Sequence, residues 1–356
     1  MIMKQAGLVF GVAMFASVAC AAEGPSPQGV PRLNNVFLIM MENHGFSQIL
    51  NNPNAPFINS LAQKANLATN YFAVAHPSLT NYLEIVGGSN FGVHADNPPD
   101  WHNAACSPNL ATGFESTDNP PTPPICPIAG VGTDAATPAY DFTNETQGSP
   151  GEVNIDGHHS FTAASNTVGK MIGDQLVANG KSWKSYQENL PLSGADGINY
   201  SDGFFTNQTD FTQIMPQLTP PLTQADVVQL CAAKHNPFVY FKSVQEGRRR
   251  DNSLKNVVGF DGPAGLYADL ASGNLPNFLF IVPNQCDDQH GRANAGKVCN
   301  FDPLVDGSQS GLNPALIYRG DVTVQRLVNA IHASPAWREN RSAIIVMWDE
   351  RLQPFA

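Results

Sequence analysis

Three short apolar runs constrain what this chain can fold into. They are Val36-Phe37-Leu38-Ile39-Met40-Met41, the stretch Phe278-Leu279-Phe280-Ile281-Val282 opened by Asn277, and Ala343 to Trp348. A strand with one wet face alternates apolar and polar residues. A strand covered on both faces is apolar throughout, as in a parallel sheet. Helix signals stand between these runs. Pro56 to Ala65 carries Pro in its first turn, Thr167 to Asn179 is closed by Gly180, and Leu266 to Ser272 is a third candidate. Val322 to Ala333 repeats Val324, Leu327, Val328 and Ile331 near the helical period. Ser182 to Tyr186 and Pro237 to Phe241 read as further strands. The alternation predicts an α/β fold with a mainly parallel central sheet, helices on both faces and long loop insertions. The largest insertion is 95–160, rich in Pro, Gly, Asn and Thr, and a second loop spans about 284–318.

Size and charge narrow the functions available. The chain has 356 residues, enough for one large α/β domain or two ordinary ones. Its net charge is -11, and its one basic run, Arg248-Arg249-Arg250, is followed directly by Asp251. Nucleic-acid binding needs a basic face, so none is expected.

The first 22 residues read as an export signal. Lys4 precedes an apolar stretch from Ala6 to Val18, too short to span a bilayer, and small residues follow at Ala19, Cys20, Ala21 and Ala22. Residues 23–33 read as a linker. A periplasmic or secreted location is expected, with lipid attachment at Cys20 as the alternative; no other segment is apolar enough to cross a membrane. Export permits disulfides. Close spacing favours Cys106–Cys126 and Cys286–Cys299 and leaves Cys231 over.

The chemistry gathers behind the apolar runs. Glu42-Asn43, Asp287-Asp288-Gln289-His290 and Asp349-Glu350 each follow one of them. In a parallel sheet all three carboxyl ends point the same way, which is where open α/β sheets carry their sites. One carboxylate after a strand is ordinarily a helix cap. Three such clusters repel one another unless a cation sits between them. Oxygen ligands with one His suit a divalent ion: Zn, Mn, Mg or Ca. Ser78 opens a helix that Gly87 is expected to stop. A helix N-terminus and a metal would both activate its hydroxyl and receive a phosphate. The alternative is that Ser78 only caps the helix. Thr80 is the next nucleophile candidate.

Met41-Glu42-Asn43-His44, His76-Pro77-Ser78-Leu79-Thr80-Asn81-Tyr82, the later Asp-His segment and Trp348-Asp349-Glu350 resemble the bacterial phosphoesterase family. That family groups acid phosphatases with phospholipase C enzymes inside the alkaline phosphatase superfamily. Lys234-His235-Asn236-Pro237-Phe238 also resembles a segment of its smaller acid-phosphatase-like members. The resemblance covers most of residues 34–350 and implies a phosphoesterase domain over 34–356. It implies metal ligands at Glu42, Asn43, Ser78, Asp288, His290, Asp349 and Glu350, with Ser78 as nucleophile. His235 would protonate the leaving group or contact phosphate, and Asn81, Asp287 and His44 would contact substrate. The expected activity is a metal-dependent phosphoester hydrolase working through a phosphoserine, foremost an acid-phosphatase-like monoesterase. The substrate would be a small phosphoester or a phospholipid head group, with no protein partner implied. A phospholipase C or other diesterase on the same site, and an inactive relative that only binds, are the alternatives. Family members continue past the last acidic pair with a further strand and a His-bearing segment. Arg351 to Ala356 is therefore expected to be a truncated tail that costs one metal ligand.

Overall fold

The computed structural model describes residues 31–69, 78–88, 170–190, 230–248, 251–291 and 314–350, with 71, 73, 90, 91, 93, 96–99, 125, 127, 128 and 194–196. Most of the 95–160 excursion lies outside the described residues, as do His76, Cys106, Cys126 and Cys299. The described elements, in chain order, begin with β1 (Asn35–Met41), α1 (Phe46–Ile49), α2 (Pro56–Lys64) and α3 (Ser78–Gly87). There follow α4 (Ile172–Ala178), β2 (Trp183–Gln187), α5 (Lys242–Gln245), β3 (Val257–Val258) and α6 (Leu266–Ser272). The last are β4 (Phe278–Val282), α7 (Pro314–Ala333), α8 (Pro335–Glu339) and β5 (Ser342–Trp348).

The five strands form one sheet in the order β3-β2-β4-β1-β5, with every pairing parallel. The expected fold class is therefore the observed one. Why the central strands are apolar throughout is visible in their two faces. Phe37, Ile39 and Met41 of β1 and Leu279 and Ile281 of β4 pack with α2, α6 and α7. Leu38 and Met40 of β1, with Phe278, Phe280 and Val282 of β4, face the opposite way, toward Leu79, Tyr82 and Leu83 of α3. Each fully buried large side chain of this kind contributes roughly 1.5–3 kcal/mol relative to exposure. β5 stands at one edge of the sheet, and its Ile345 is exposed.

Three expectations are corrected. Pro237 to Phe241 is not a strand. Pro237–Tyr240 is a 3-10 turn following a second one, Ala233–His235, and its apolar residues are buried as a plug beneath α3 rather than as a sheet member. Pro at a first helical position, with no ladder donor of its own, suits a turn better than a sheet interior. The loop expected over 284–318 ends earlier, because α7 starts at Pro314. Within α7, Gly320 faces Gln289 so closely that a Cβ would lie 2.2 Å from the Gln289 side chain. Asp321 is buried and accepts hydrogen bonds from Phe57 N and Ile58 N, capping α2 in place of a local residue. Finally, α3 runs through Gly87, and it is Gly88, with φ of 64°, that turns the chain out of the helix.

Candidate active site

The carboxyl ends of β1, β4 and β5 lie side by side, as the ladder pairs Met41 with Trp348 and Ile39 with Ile281. Backbone bonds carry the register past the strands: Glu42 N donates to Asp288 O and Asp349 N to Met41 O. Glu42, Asp288, Asp349 and Glu350 are thereby brought together, and all four are buried. Two residues there hold a left-handed backbone, Asn43 at φ 55° and Gln289 at φ 82°. Asn tolerates this conformation; for Gln it is strained. Gln289 is held in it from both sides, donating to Ile317 O and accepting from Trp348 Nε1.

α3 delivers Ser78 into this group. The Ser78 hydroxyl lies 3.1 Å from Glu42 Oε2 and 3.2 Å from Glu350 Oε1, and its one proton can serve either. Asn81, one turn on, donates to Glu350 Oε2 at 3.4 Å. Tyr82 donates its hydroxyl to Glu42 Oε1 and stacks on His235, with ring centroids 5.3 Å apart. Asn43 N donates to Asp349 Oδ1 at 3.2 Å, and its side-chain amide, turned to satisfy its neighbours, reaches Glu42 Oε2 and Glu350 Oε1. Thr80 gives its hydroxyl to Val93 O instead.

The imidazoles complete the group. His235 comes from the 3-10 turn over Ala233–His235 and spans two acids, with Nε2 at 3.2 Å from Glu42 Oε1 and Nδ1 at 3.4 Å from Asp288 Oδ2. His290 places Nδ1 at 2.7 Å from Gly291 O, which leaves Nε2 directed at the site. Ligand atoms of Glu42, His235 and His290 lie within 4.8 Å of one another, a possible metal site.

The electrostatics fit a cation. Glu42 is pushed well above the usual carboxylate range, first by burial and then by Asp349 and Asp288. Burial likewise raises Asp288 and Asp349. Asp288 Oδ2 is buried and accepts no hydrogen bond among the described residues. Four buried carboxyls with two imidazoles form a hard-oxygen and nitrogen donor set for a divalent ion.

Of the residues singled out from sequence, Glu42, Asn43, Ser78, Asn81, His235, Asp288, His290, Asp349 and Glu350 lie together. Two face elsewhere. The Asp287 carboxylate is held by Arg319 Nε at 2.5 Å and by Arg326, away from Ser78. His44 turns Nδ1 to Glu42 O at 2.9 Å. Sequence reasoning passed over Tyr82, Lys234 and Asp96. Lys234 Nζ pairs with Asp96 Oδ2 at 2.8 Å and lies 3.4 Å from His290 Nε2. Lys234 was signalled in advance only as part of the Lys234 to Phe238 segment, with no role of its own; Asp96 falls in the irregular excursion. Cys231 is a free, buried thiol, while the two expected disulfides each include a residue outside the described ones.

A parallel α/β sheet with a buried serine, carboxylates and imidazoles at its carboxyl edge defines a hydrolase-like class of site. The chain belongs to the Phosphoesterase family, whose model matches residues 48–351. It is similar to an acid phosphatase of Aspergillus fumigatus, 25% identical over 257 residues, covering 72% of this chain and 36% of the relative. A phosphate-repressible acid phosphatase of Penicillium chrysogenum is 25% identical over 252 residues, covering 71% and 38%. A phosphatidylinositol-3-phosphatase of Mycobacterium tuberculosis is 34% identical over 110 residues, covering 29% and 36%. The chain thus spans under two fifths of the length of these relatives. Among the described residues, no helix is long and apolar enough to cross a membrane.

Proposed function

We propose that this chain is an exported, metal-dependent phosphoester hydrolase that works through a phosphoserine on Ser78, acting foremost as an acid-phosphatase-like monoesterase. One observation carries the reading: a hydroxyl at a helix start, within 3.2 Å of two buried carboxylates, inside a group of acids and imidazoles. The family and the acid phosphatases among the relatives support the reaction class. The phosphatidylinositol-3-phosphatase supports a phosphorylated lipid head group as one substrate. The signal read over residues 1–22 supports export.

A divalent ion held by Glu42, Asn43, Ser78, Asp288, His290, Asp349 and Glu350, with His235 within reach, would supply positive charge against the hydroxyl and phosphoryl oxygens. The chain's own residues do the rest. The Ser78 proton passes to Glu42 or Glu350 as Oγ attacks phosphorus in line. The bond from phosphorus to the leaving oxygen breaks, and His235 protonates that oxygen. Asn81 donates to a phosphoryl oxygen. Water then attacks the phosphoserine, the bond from phosphorus to Ser78 Oγ breaks, the acid returns its proton to Oγ, the proton lost by water reloads His235, and inorganic phosphate leaves.

The test is turnover of p-nitrophenyl phosphate by the mature chain, with and without divalent metals, beside Ser78→Ala and an aryl diester. Metal-dependent monoester turnover that falls by about three orders of magnitude or more in Ser78→Ala is expected. Turnover that survives the substitution removes Ser78 as nucleophile, and preference for the diester replaces the monoesterase reading. A folded chain inert with every metal leaves the binding-only alternative.

A further inference from the structure

Lys234 is an unusual residue to find where it is. Its side chain is only 6% exposed, and a buried ammonium is costly unless paired. Its partner Asp96 is no ordinary counter-ion. Asp96 Oδ2 takes the Lys234 ammonium at 2.8 Å, while Oδ1 accepts from Leu79 N at 3.0 Å, the amide beside Ser78. Lys234 Nζ meanwhile lies 3.4 Å from His290 Nε2. The ammonium is thus tied on one side to the start of the helix carrying Ser78 and on the other to a site imidazole. It leaves the same 3-10 turn as His235. Its charge reaches inward too, since it favours the ionised forms of Glu42, Asp288 and Asp349. An ion pair serving stability alone could sit anywhere in the core, or be replaced by apolar residues. This one joins the amide next to Ser78, through Asp96, to the imidazole of His290.

Resting on the hydrolase reading above, we propose that Lys234 contacts a non-bridging oxygen of the substrate phosphoryl group, and that Asp96 is the positioning residue that aims it. A point charge of this kind suits a phosphate dianion. It acts on ground state and transition state alike, so the loss falls on phosphate affinity and KM rather than on kcat.

The experiment is competitive inhibition of aryl phosphate turnover by inorganic phosphate, in wild type, Lys234→Gln, Lys234→Arg and Asp96→Asn, with metal content measured in each. In Lys234→Gln the inhibition constant and KM are expected to rise about tenfold or more. In Lys234→Arg, which keeps the charge, the inhibition constant stays within about threefold of wild type. Asp96→Asn, which loosens the tether and keeps the volume, is expected to raise phosphate inhibition constant and KM together by about threefold or more; it carries the test alone if Lys234→Gln does not fold. An unchanged phosphate inhibition constant in a folded, metal-replete Lys234→Gln or Asp96→Asn overturns the assignment while the hydrolase reading stands. A wild type without turnover overturns that reading instead.

Discussion

Two acid-rich pockets lie at the carboxyl edge of the same sheet, and they are built on opposite principles. In the first, Glu42, Asp288, Asp349 and Glu350 are buried together, and the cation beside them, Lys234, is shared with Asp96. In the second, Glu188 and Asp287 meet two arginines: Arg326 reaches Glu188 at 2.8 Å and Asp287 at 3.3 Å, and Arg319 holds Asp287 at 2.5 Å. The second pocket matches acids with fixed cations and ties the segments after β2 and β4 to α7. The first sets four carboxyls against Lys234 and the imidazoles of His235 and His290. Neighbouring residues therefore have different roles: Asp288 belongs to the unbalanced pocket and Asp287 to the balanced one. What separates the pockets is charge balance rather than acid content, and each can be pushed toward the other.

The largest effect comes from removing charge in the unbalanced pocket. Under the proposed mechanism, Glu42→Gln is expected to lower metal-dependent turnover by about three orders of magnitude or more, since it removes a donor proposed for the metal and the carboxylate 3.1 Å from the Ser78 hydroxyl. Without metal, the same substitution should raise the melting temperature by a few degrees, because burial and like charges favour the neutral form at this position and Gln is neutral at every pH. Calorimetry in chelator checks this. A lower melting temperature would mean that Glu42 is a structural acid and that the contrast with the second pocket is false.

The complementary change is Arg326→Met. It leaves Glu188 and Asp287 short of a cation. Breaking a fully buried pair costs about 3–5 kcal/mol. With the Arg326 side chain 46% exposed, about 1–2 kcal/mol is the discounted expectation. Urea unfolding should show that loss, with turnover per folded molecule within about threefold of wild type. A loss of turnover with stability intact would move Asp287 into the catalytic pocket.

Glu188 gives a finer reading of the balanced pocket. Burial, and then Asp287, push it from 4.5 up to about 8, against the pull of Arg326. Its folded form holds a proton that the unfolded chain gives up. The stability it contributes is therefore fully present below about pH 4.5 and is lost as pH rises through about 8. Each tenfold rise in proton affinity is worth about 1.4 kcal/mol, so Glu188→Gln should flatten the stability decline across that window by a few kcal/mol. An identical pH profile in the two proteins would show that Glu188 titrates as an ordinary surface acid.

How much of this contrast was legible in the chain follows from what local sequence can encode. β1, β4 and β5 announce themselves because burial on both faces leaves unbroken apolar runs. The acids behind them were found because a strand's end fixes where the next residues point. Pro237 to Phe241 carries the same apolar signature with only one isolated bridge, Phe241 to Ile128, so periodicity misassigned it. Asp287 and Asp288 were indistinguishable because what separates them is Arg319 and Arg326, on a helix that begins 26 residues after Asp288. Asp96 and Lys234 lie 138 residues apart in sequence, a pairing only the fold makes. The Asp321 cap on α2 is equally non-local.

The smallest effect probes the wall between the pockets. Cys231 is a buried free thiol whose neighbour Leu230 accepts a hydrogen bond from Gln285 N, in the segment that goes on to carry Asp287 and Asp288. Burial pushes the thiol up to about 12, so at pH 8 the native protein holds almost no thiolate. Labelling by a disulfide reagent at pH 8 should then be slow and governed by local opening, and fast in denaturant. A metal that balances the first pocket stabilises the segments after β1 and β4 against opening, so divalent ions should slow labelling severalfold. Arg326→Met, acting on the other side of the wall, should speed it. Labelling indifferent to metal but sensitive to Arg326 would mean that the wall is held by the balanced pocket alone. The converse would mean that the ligand pocket governs the rigidity of the whole sheet edge.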